Sequence, residues 1–105
     1  MSQSISVTEL AEVLKSAEPP FLLDVREPEE FRLANLGGVL IPLGELSQRL
    51  NEVPEDRDVV VLCHHGVRSG HASAFLRHQG YERVRNISGG IDQYSLEVDP
   101  KVPRY

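Results

Sequence analysis

Short apolar runs alternate along the chain with segments in which apolar residues recur every three or four positions. The clearest run spans residues 58–62, which is continuous and β-branched, as expected for a strand covered on both faces. Shorter runs at residues 21–25, 39–41 and 83–87 predict further strands. The pattern therefore predicts several short strands separated by helical segments.

Helical spacing of apolar residues fills the intervals between these runs. The segment 6–9 has the form of a capping box, and apolar residues recurring from Leu10 predict a first helix that ends near residue 16. Pro28 suits the first position of a second helix over residues 29–34. The same spacing predicts helices over residues 43–51, 69–79 and 91–97.

Strands that alternate with helices imply βαβ units, in which the strands run parallel and helices cover both faces. We therefore expect an α/β fold with a mainly parallel sheet of about five strands. A chain of 105 residues has the length of one domain, so residues 1–105 are expected to form a single domain. Ligands of such sheets bind beyond the carboxyl ends of the strands. Cys63 lies at that end of the most hydrophobic run.

Composition and net charge argue against several classes of function. Hydrophobic residues make up 40% of the chain and charged residues 26%, as in ordinary globular proteins. The formal net charge of −5 argues against nucleic-acid binding, because the chain as a whole does not attract a phosphate backbone. The single cysteine, Cys63, excludes both an internal disulfide and a zinc site built from several thiolates.

Export and membrane signals are absent from the sequence. Residues 1–6 contain no basic region followed by an apolar stretch, as a signal peptide would. The longest apolar run, residues 59–63, is far shorter than the ~20 residues that span a bilayer. We therefore expect a cytoplasmic protein without a membrane partner, in which the thiol of Cys63 stays reduced.

Cys63 begins a loop between the predicted central strand and a predicted helix. Backbone N–H groups in such a loop, with Gly66 free to adopt a positive φ, can form an anion-binding nest at the positive end of the next helix. The same donors would stabilise a thiolate, and Arg68 would bind an oxyanion or add positive field. These features predict that Cys63 is a nucleophile. The alternative, a buried structural cysteine, requires none of them.

The loop reads Cys63-His64-His65-Gly66-Val67-Arg68-Ser69. It resembles the active-site loop of rhodanese-like sulfurtransferases, in which cysteine is followed by x-x-Gly-x-Arg and then by serine or threonine. Three further motifs resemble the same family in the same order, and together they cover nearly the whole chain. They are residues 22–31, residues 41–43, and residues 80–81 followed by 86–91. The resemblance implies a rhodanese-like fold.

Other positions bear on the subfamily. Residues 99–105 are similar to the end of rhodanese modules that are fused to ubiquitin-like-protein activating enzymes. Residues 35–37 read Asn-Leu-Gly where many members have Gly-His-Ile, and Tyr94 takes the place of a tryptophan that the family usually carries. These two departures leave the Cys63 loop untouched.

The resemblance implies a persulfide mechanism and the activity of a thiosulfate sulfurtransferase. In that mechanism the thiolate of Cys63 attacks the outer sulfur of a donor and then passes this sulfur to a thiophilic acceptor. The donor is a small anion such as thiosulfate or a protein persulfide, and a protein can also be the acceptor. No cofactor takes part.

The rest of the loop is expected to bind the substrate. The residues concerned are His64, His65, Gly66, Val67, Arg68 and Ser69. Arg68 would bind or steer the anionic donor, whereas Ser69 would cap the helix and offer a hydroxyl. For His64 and His65 three alternatives are open: they add positive charge at the mouth of the site, they admit a particular substrate, or they have no role.

Three alternatives compete with sulfur transfer. Phosphatases with a similar nest have five residues between cysteine and arginine, whereas only residues 64–67 intervene here, which disfavours a phosphatase or an arsenate reductase. A binding or sulfur-relay module on the same scaffold, without turnover, is the second hypothesis, although such modules usually lack the nucleophile. A metal site is not expected, because Cys63, His64 and His65 are too close in sequence to converge on one ion.

A cluster of carboxylates near residue 27 suggests acid–base chemistry, but structural roles account for it. Glu29 and Glu30 begin a helix, where negative charge is favourable, and Asp24 is expected to form an ion pair with Arg26. Gly89-Gly90 is expected to make a close turn near the Cys63 loop.

Overall fold

Five parallel strands form a single sheet in the order β1-β5-β4-β2-β3. The computed structural model describes residues 3–105. The strands are Ser4–Ile5 (β1), Phe21–Asp24 (β2), Val39–Leu40 (β3), Val59–Leu62 (β4) and Val84–Ile87 (β5). The central strand, β4, is the clearest apolar run of the sequence, and all of its residues are buried. The predicted parallel sheet of about five strands is confirmed.

Four α-helices accompany the sheet. They are Val7–Leu14 (α1), Pro28–Leu33 (α2), Val67–His78 (α3) and Gly90–Glu97 (α4). Leu10 of α1 packs in one buried cluster with Val60 of β4, whereas Leu76 of α3 packs in a second cluster with Val61. Alternate residues of β4 therefore point to opposite faces, each covered by helices, as a central parallel strand requires. The α/β class is confirmed.

The predicted helix over residues 43–51 is wrong in type. That segment forms two 3-10 helices, Leu43–Gln48 and Leu50–Glu52. The spacing of three between Leu43 and Leu46 suits a 3-10 turn, and Gly44 weakens an α-helix at this place.

The first strand and the end of the first helix also differ from expectation. The pattern did not predict β1, because an edge strand of two residues is too short to show alternation. Helix α1 ends at Leu14, before the predicted end near residue 16. Residues 1 and 2, which belong to the predicted domain and to the N-terminal segment 1–6, lie outside the described part of the chain.

The helices are short. The longest, α3, has 12 residues. Among residues 3–105, every helix falls short of the length and apolar character needed to cross a membrane.

Two glycines bring the start of α4 against the loop that follows β4. Gly89 and Gly90 have φ values of +79° and +62°. A Cβ on Gly90 would lie 2.3 Å from the carbonyl oxygen of His64 and 2.5 Å from that of Cys63. This close approach lets the amide of Ile91 donate to the Cys63 carbonyl at 2.9 Å. The predicted close turn is confirmed.

Replacing Gly90 by alanine should therefore destabilise the protein. The added methyl group clashes with two backbone carbonyls and requires a strained φ, so we expect a loss of about 2–4 kcal/mol in the free energy of unfolding. Urea unfolding measures this loss. Gly44→Ala is the matched control, because nothing lies within 4 Å of its added Cβ. Equal stability of the two variants would contradict the prediction.

Candidate active site

Cys63 lies directly beyond β4 and is buried, with 1% of its surface exposed. Its Sγ accepts a hydrogen bond from the amide of Gly66 at 3.0 Å and lies 3.2 Å from Oγ of Ser69. Gly66 is the N-cap of α3 and has a φ of +108°, a conformation that glycine adopts without a Cβ clash. The sulfur therefore faces a backbone donor and a hydroxyl at the start of a helix, where negative charge is favourable.

The Ser69 hydroxyl links this sulfur to Asn86 of β5. Ser69 Oγ donates to Asn86 Oδ1 at 2.5 Å. The side-chain amide nitrogen of Asn86, Nδ2, donates to the Gly66 carbonyl at 3.3 Å. A hydroxyl has one proton, so while Ser69 donates to Asn86, the thiol of Cys63 can donate to Ser69. When the thiol ionises, the hydroxyl can turn its proton toward the sulfur. Local spacing does not reveal the role of Asn86, because its contact with Ser69 joins distant parts of the chain.

Arg68 is turned toward Glu30 of α2. Its Nη1 and Nη2 donate to Glu30 Oε1 and Oε2 at 2.6 and 2.8 Å, a bidentate geometry that gives strong hydrogen bonds. The bonds from Arg68 are the main reason that the pKa of Glu30 is lowered to about 2, although burial acts in the opposite direction. The predicted role of Glu30 at a helix start was incomplete, because local spacing gives no sign of this long-range partner.

Tyr105 contacts the same group of side chains. Its hydroxyl donates to Glu30 Oε2 at 2.8 Å and accepts from Arg26 Nη1 at 2.9 Å. Its ring stacks on that of His64, with the centroids 4.0 Å apart. Burial raises the pKa of Tyr105, so its hydroxyl keeps the proton that it donates to Glu30. Tyr105 was not predicted as a site residue, and the only signal for it in the sequence was the family resemblance of residues 99–105.

Arg26 is completely buried just beyond β2. Its Nε and Nη2 donate to the two carboxylate oxygens of Asp24 at 2.9 and 2.7 Å, which confirms the predicted ion pair. Nη2 also donates to the Ala34 carbonyl at 2.8 Å. A buried charge is tolerated when it is paired and its donors are satisfied, and Arg26 meets both conditions.

The two histidines of the loop stack against each other. The ring centroids of His64 and His65 are 3.9 Å apart, so His64 lies between His65 and Tyr105. Burial, together with the neighbouring His65, lowers the pKa of His64. A lowered pKa disfavours the charged form of His64. Positive charge at the mouth of the site stays a prediction for the two histidines.

Asp92 of α4 lies beside these rings. Its Oδ2 is 3.7 Å from Nε2 of His65, and its Oδ1 accepts from Nε of Arg104 at 2.8 Å. One ligand atom from each of His64, His65 and Asp92 lies within 4.8 Å of the others, a donor set suited to a transition metal. Local spacing does not reveal this cluster, because Asp92 reaches the two histidines from α4. Asp92 is at the same time hydrogen-bonded to Arg104, which competes with an ion for its carboxylate.

The residues predicted to bind the substrate therefore do not all face the Cys63 sulfur. Gly66 and Ser69 face the sulfur, whereas Arg68 faces Glu30 and the two histidines lie in the stack with Tyr105. Val67 begins α3 and is 69% exposed.

A model of the rhodanese-like domain matches residues 6–97. A sulfurtransferase of Allochromatium vinosum is 39% identical over 92 residues, which cover 87% of this chain and 86% of that protein. The crystal structure of a rhodanese-related protein from Thermoplasma volcanium has a TM-score of 0.82 and 32% identity, and covers 91% of this chain and 93% of that one.

Some relatives are longer than this chain. A putative sulfur carrier protein of Bacillus subtilis is 37% identical over 96 residues, which cover 90% of this chain but 52% of that protein. The chain spans as little as 23% of the length of other curated relatives that it matches.

Breaking the buried ion pair should be costly. Arg26→Met leaves the Asp24 carboxylate buried without its partner, so we expect a loss of about 3–5 kcal/mol in the free energy of unfolding. Arg32→Met is the matched control, since Arg32 pairs with Glu29 on the exposed surface, where such pairs contribute less than about 1 kcal/mol. Urea unfolding compares the two variants. A small effect of Arg26→Met would show that the pair does not stabilise the fold.

The lowered pKa of Glu30 makes part of the stability depend on pH. The ionised carboxylate stabilises the folded state above its usual pKa near 4.5, and this contribution is lost as pH falls toward about 2. Glu30→Gln should therefore be less stable than the wild type at neutral pH, by on the order of 2 kcal/mol, and the difference should shrink in acid. Urea unfolding at several pH values tests this, and a difference that does not change with pH would refute it.

Proposed function

The chain belongs to the rhodanese-like domain family, and on that premise we propose that it is a sulfurtransferase that carries sulfur as a persulfide on Cys63. The related sulfurtransferase and the putative sulfur carrier protein support a sulfurtransferase or sulfur-relay role. We propose further that residues 1–105 act as one such domain, and that the protein works in the cytoplasm, where a single thiol stays reduced.

The observation that supports this proposal best is the environment of the Cys63 sulfur. Sγ accepts from the Gly66 amide at 3.0 Å and lies 3.2 Å from the Ser69 hydroxyl, beside the N-terminal end of α3. Each of these features stabilises negative charge on sulfur. The same donors can hold the charge of the persulfide, which is anionic at neutral pH.

The proposed reaction has two steps. The Cys63 thiolate attacks the outer sulfur of the donor, a new S–S bond forms, and the old S–S bond breaks with its electron pair on the leaving group. With thiosulfate the leaving group is sulfite, and with a persulfide R–S–SH it is the thiolate R–S⁻. In the second step an acceptor nucleophile takes the terminal sulfur, and the electron pair of the broken bond returns to the Cys63 thiolate.

The remaining loop residues have supporting roles in this proposal. Gly66 and Ser69 hold the charge on sulfur, and Arg68 lies next to the approaching donor. His64, His65 and Val67 form the outer edge that a substrate meets.

Thiosulfate and a protein persulfide are the donors that we propose. A protein partner is supported by the relative that is described as a putative sulfur carrier. Because Cys63 is the only cysteine, no second thiol of this chain can resolve the persulfide as an internal disulfide. The sulfur must then leave to another molecule.

Intact mass spectrometry tests the proposal. After incubation with thiosulfate or cysteine persulfide, the mass should rise by one sulfur, ~32 Da, and cyanide should remove the added mass. Cys63→Ser is the matched control, since it replaces one atom and should gain no sulfur. If the wild type gains no sulfur from either donor, Cys63 is not a sulfur carrier and the binding-module hypothesis takes its place.

A further inference from the structure

The arginines around the Cys63 loop are all held by carboxylates. Arg68 binds Glu30 through two hydrogen bonds, Arg104 binds Asp92, and Arg26 binds Asp24. Each of these pairs joins one positive and one negative side chain. The pairs therefore add no net charge to the surroundings of Cys63.

The two histidines of the loop lie against other side chains. His64 is stacked between the rings of His65 and Tyr105. His65 lies 3.7 Å from Asp92, so positive charge on it would face a carboxylate. A dianion that approaches the sulfur meets the Gly66 amide and the Ser69 hydroxyl, whereas the three arginines named above are already paired with carboxylates.

Glu30 is held firmly in its place beside Arg68. Besides the two bonds from Arg68, its carboxylate accepts from the Tyr105 hydroxyl at 2.8 Å and from the Glu27 amide at 3.1 Å. Tyr105 is fixed in turn by the Arg26 guanidinium and by the His64 ring. Releasing Arg68 toward a substrate would therefore break charge-assisted bonds within a connected network.

The pairing of these arginines affects which sulfur donor the site favours. Thiosulfate enters the site with two negative charges, and its leaving group, sulfite, leaves the site with two. A thiol persulfide carries at most one negative charge, since it is R–S–S⁻ when ionised. The protonated form R–S–SH, which the thiolate attacks, releases a single negative charge on R–S⁻. A site whose cations are already paired gains little Coulomb energy from a dianion, so it favours the less charged donor.

Building on the proposed function, we infer that Glu30 is a specificity-determining residue, which neutralises Arg68 and so selects a thiol persulfide over thiosulfate as the sulfur donor. Tyr105 is a positioning residue for Glu30. In the transfer, the Cys63 thiolate bonds to the terminal sulfur of the protonated form R–S–SH, and the donor S–S bond breaks with its electron pair on R–S⁻. The proton stays on the transferred sulfur until the Cys63 persulfide ionises.

The test compares Glu30→Gln with Glu29→Gln. Both changes remove one negative charge from the same helix, but Glu29 is exposed and lies beside Arg32 rather than Arg68. Rates of Cys63 persulfide formation are measured by intact mass against the concentration of thiosulfate and of cysteine persulfide. In Glu30→Gln the half-saturating thiosulfate concentration should fall about tenfold, and the ratio of thiosulfate to persulfide loading should rise. Glu29→Gln should show neither change.

Two further measurements test whether the gain with thiosulfate depends on Arg68 and on charge. Adding Arg68→Gln to Glu30→Gln should remove the gain with thiosulfate, because the gain depends on the unpaired guanidinium. Raising the salt concentration from about 20 to about 200 mM should slow thiosulfate loading of Glu30→Gln but not of the wild type. The salt series on the wild type needs no variant, so it applies even if a substitution impairs folding.

A second comparison of donors distinguishes a protein persulfide from the persulfide of a small thiol. A persulfidated, nearly uncharged peptide replaces cysteine persulfide, and both should load the wild type at lower concentrations than thiosulfate does. Faster loading from the peptide indicates a protein donor, and faster loading from cysteine persulfide indicates a small thiol.

Failure of the inference differs from failure of the proposed function. If the wild type loads equally well from thiosulfate, or if Glu30→Gln behaves like Glu29→Gln, Glu30 does not select the donor although Cys63 still carries sulfur. If no donor loads Cys63 in any variant, the proposed function fails and the inference fails with it.

Discussion

The buried ion pair between Arg26 and Asp24 is the contact on which the surroundings of the site depend. A guanidinium without exposure to water needs a partner for each donor, and Arg26 uses its remaining donors on the Ala34 carbonyl and the Tyr105 hydroxyl. Through Tyr105 the network reaches Glu30, and through Glu30 it reaches Arg68. A charge inside the fold thus fixes side chains that surround the reactive loop.

The reactive sulfur itself depends on a different constraint, the geometry of a parallel sheet. Strand β4 delivers Cys63 to the carboxyl edge, where the amide of Gly66 and the first turn of α3 meet it. The first turn of α4 supports the other side of the loop, since Ile91 and Asp92 donate to the carbonyls of Cys63 and His64. The sulfur is thus stabilised by a backbone amide, a hydroxyl and the start of a helix, whereas the charges around it come from side chains that balance one another.

Local patterns predicted the parts of this arrangement that are local. The apolar run of β4, the cysteine at its end and the glycine at the N-cap of α3 are adjacent in sequence, so their spacing predicted both the fold class and the loop. Glu30, Asn86 and Tyr105 were not assigned to the site, because each reaches it from another element and no spacing marks such a contact. The 3-10 geometry after β3 was missed because apolar spacing alone does not separate a 3-10 helix from an α-helix.

The way in which α4 supports the loop has an evolutionary consequence. The supporting bonds end on the carbonyl oxygens of residues 63 and 64, and every amino acid has such an oxygen whatever its side chain. The side chains at positions 64, 65 and 67 can therefore change without loss of these backbone bonds. A scaffold of this kind can acquire new substrates by substitution in the loop, while the helix that supports the loop and the strand that precedes it stay as they are.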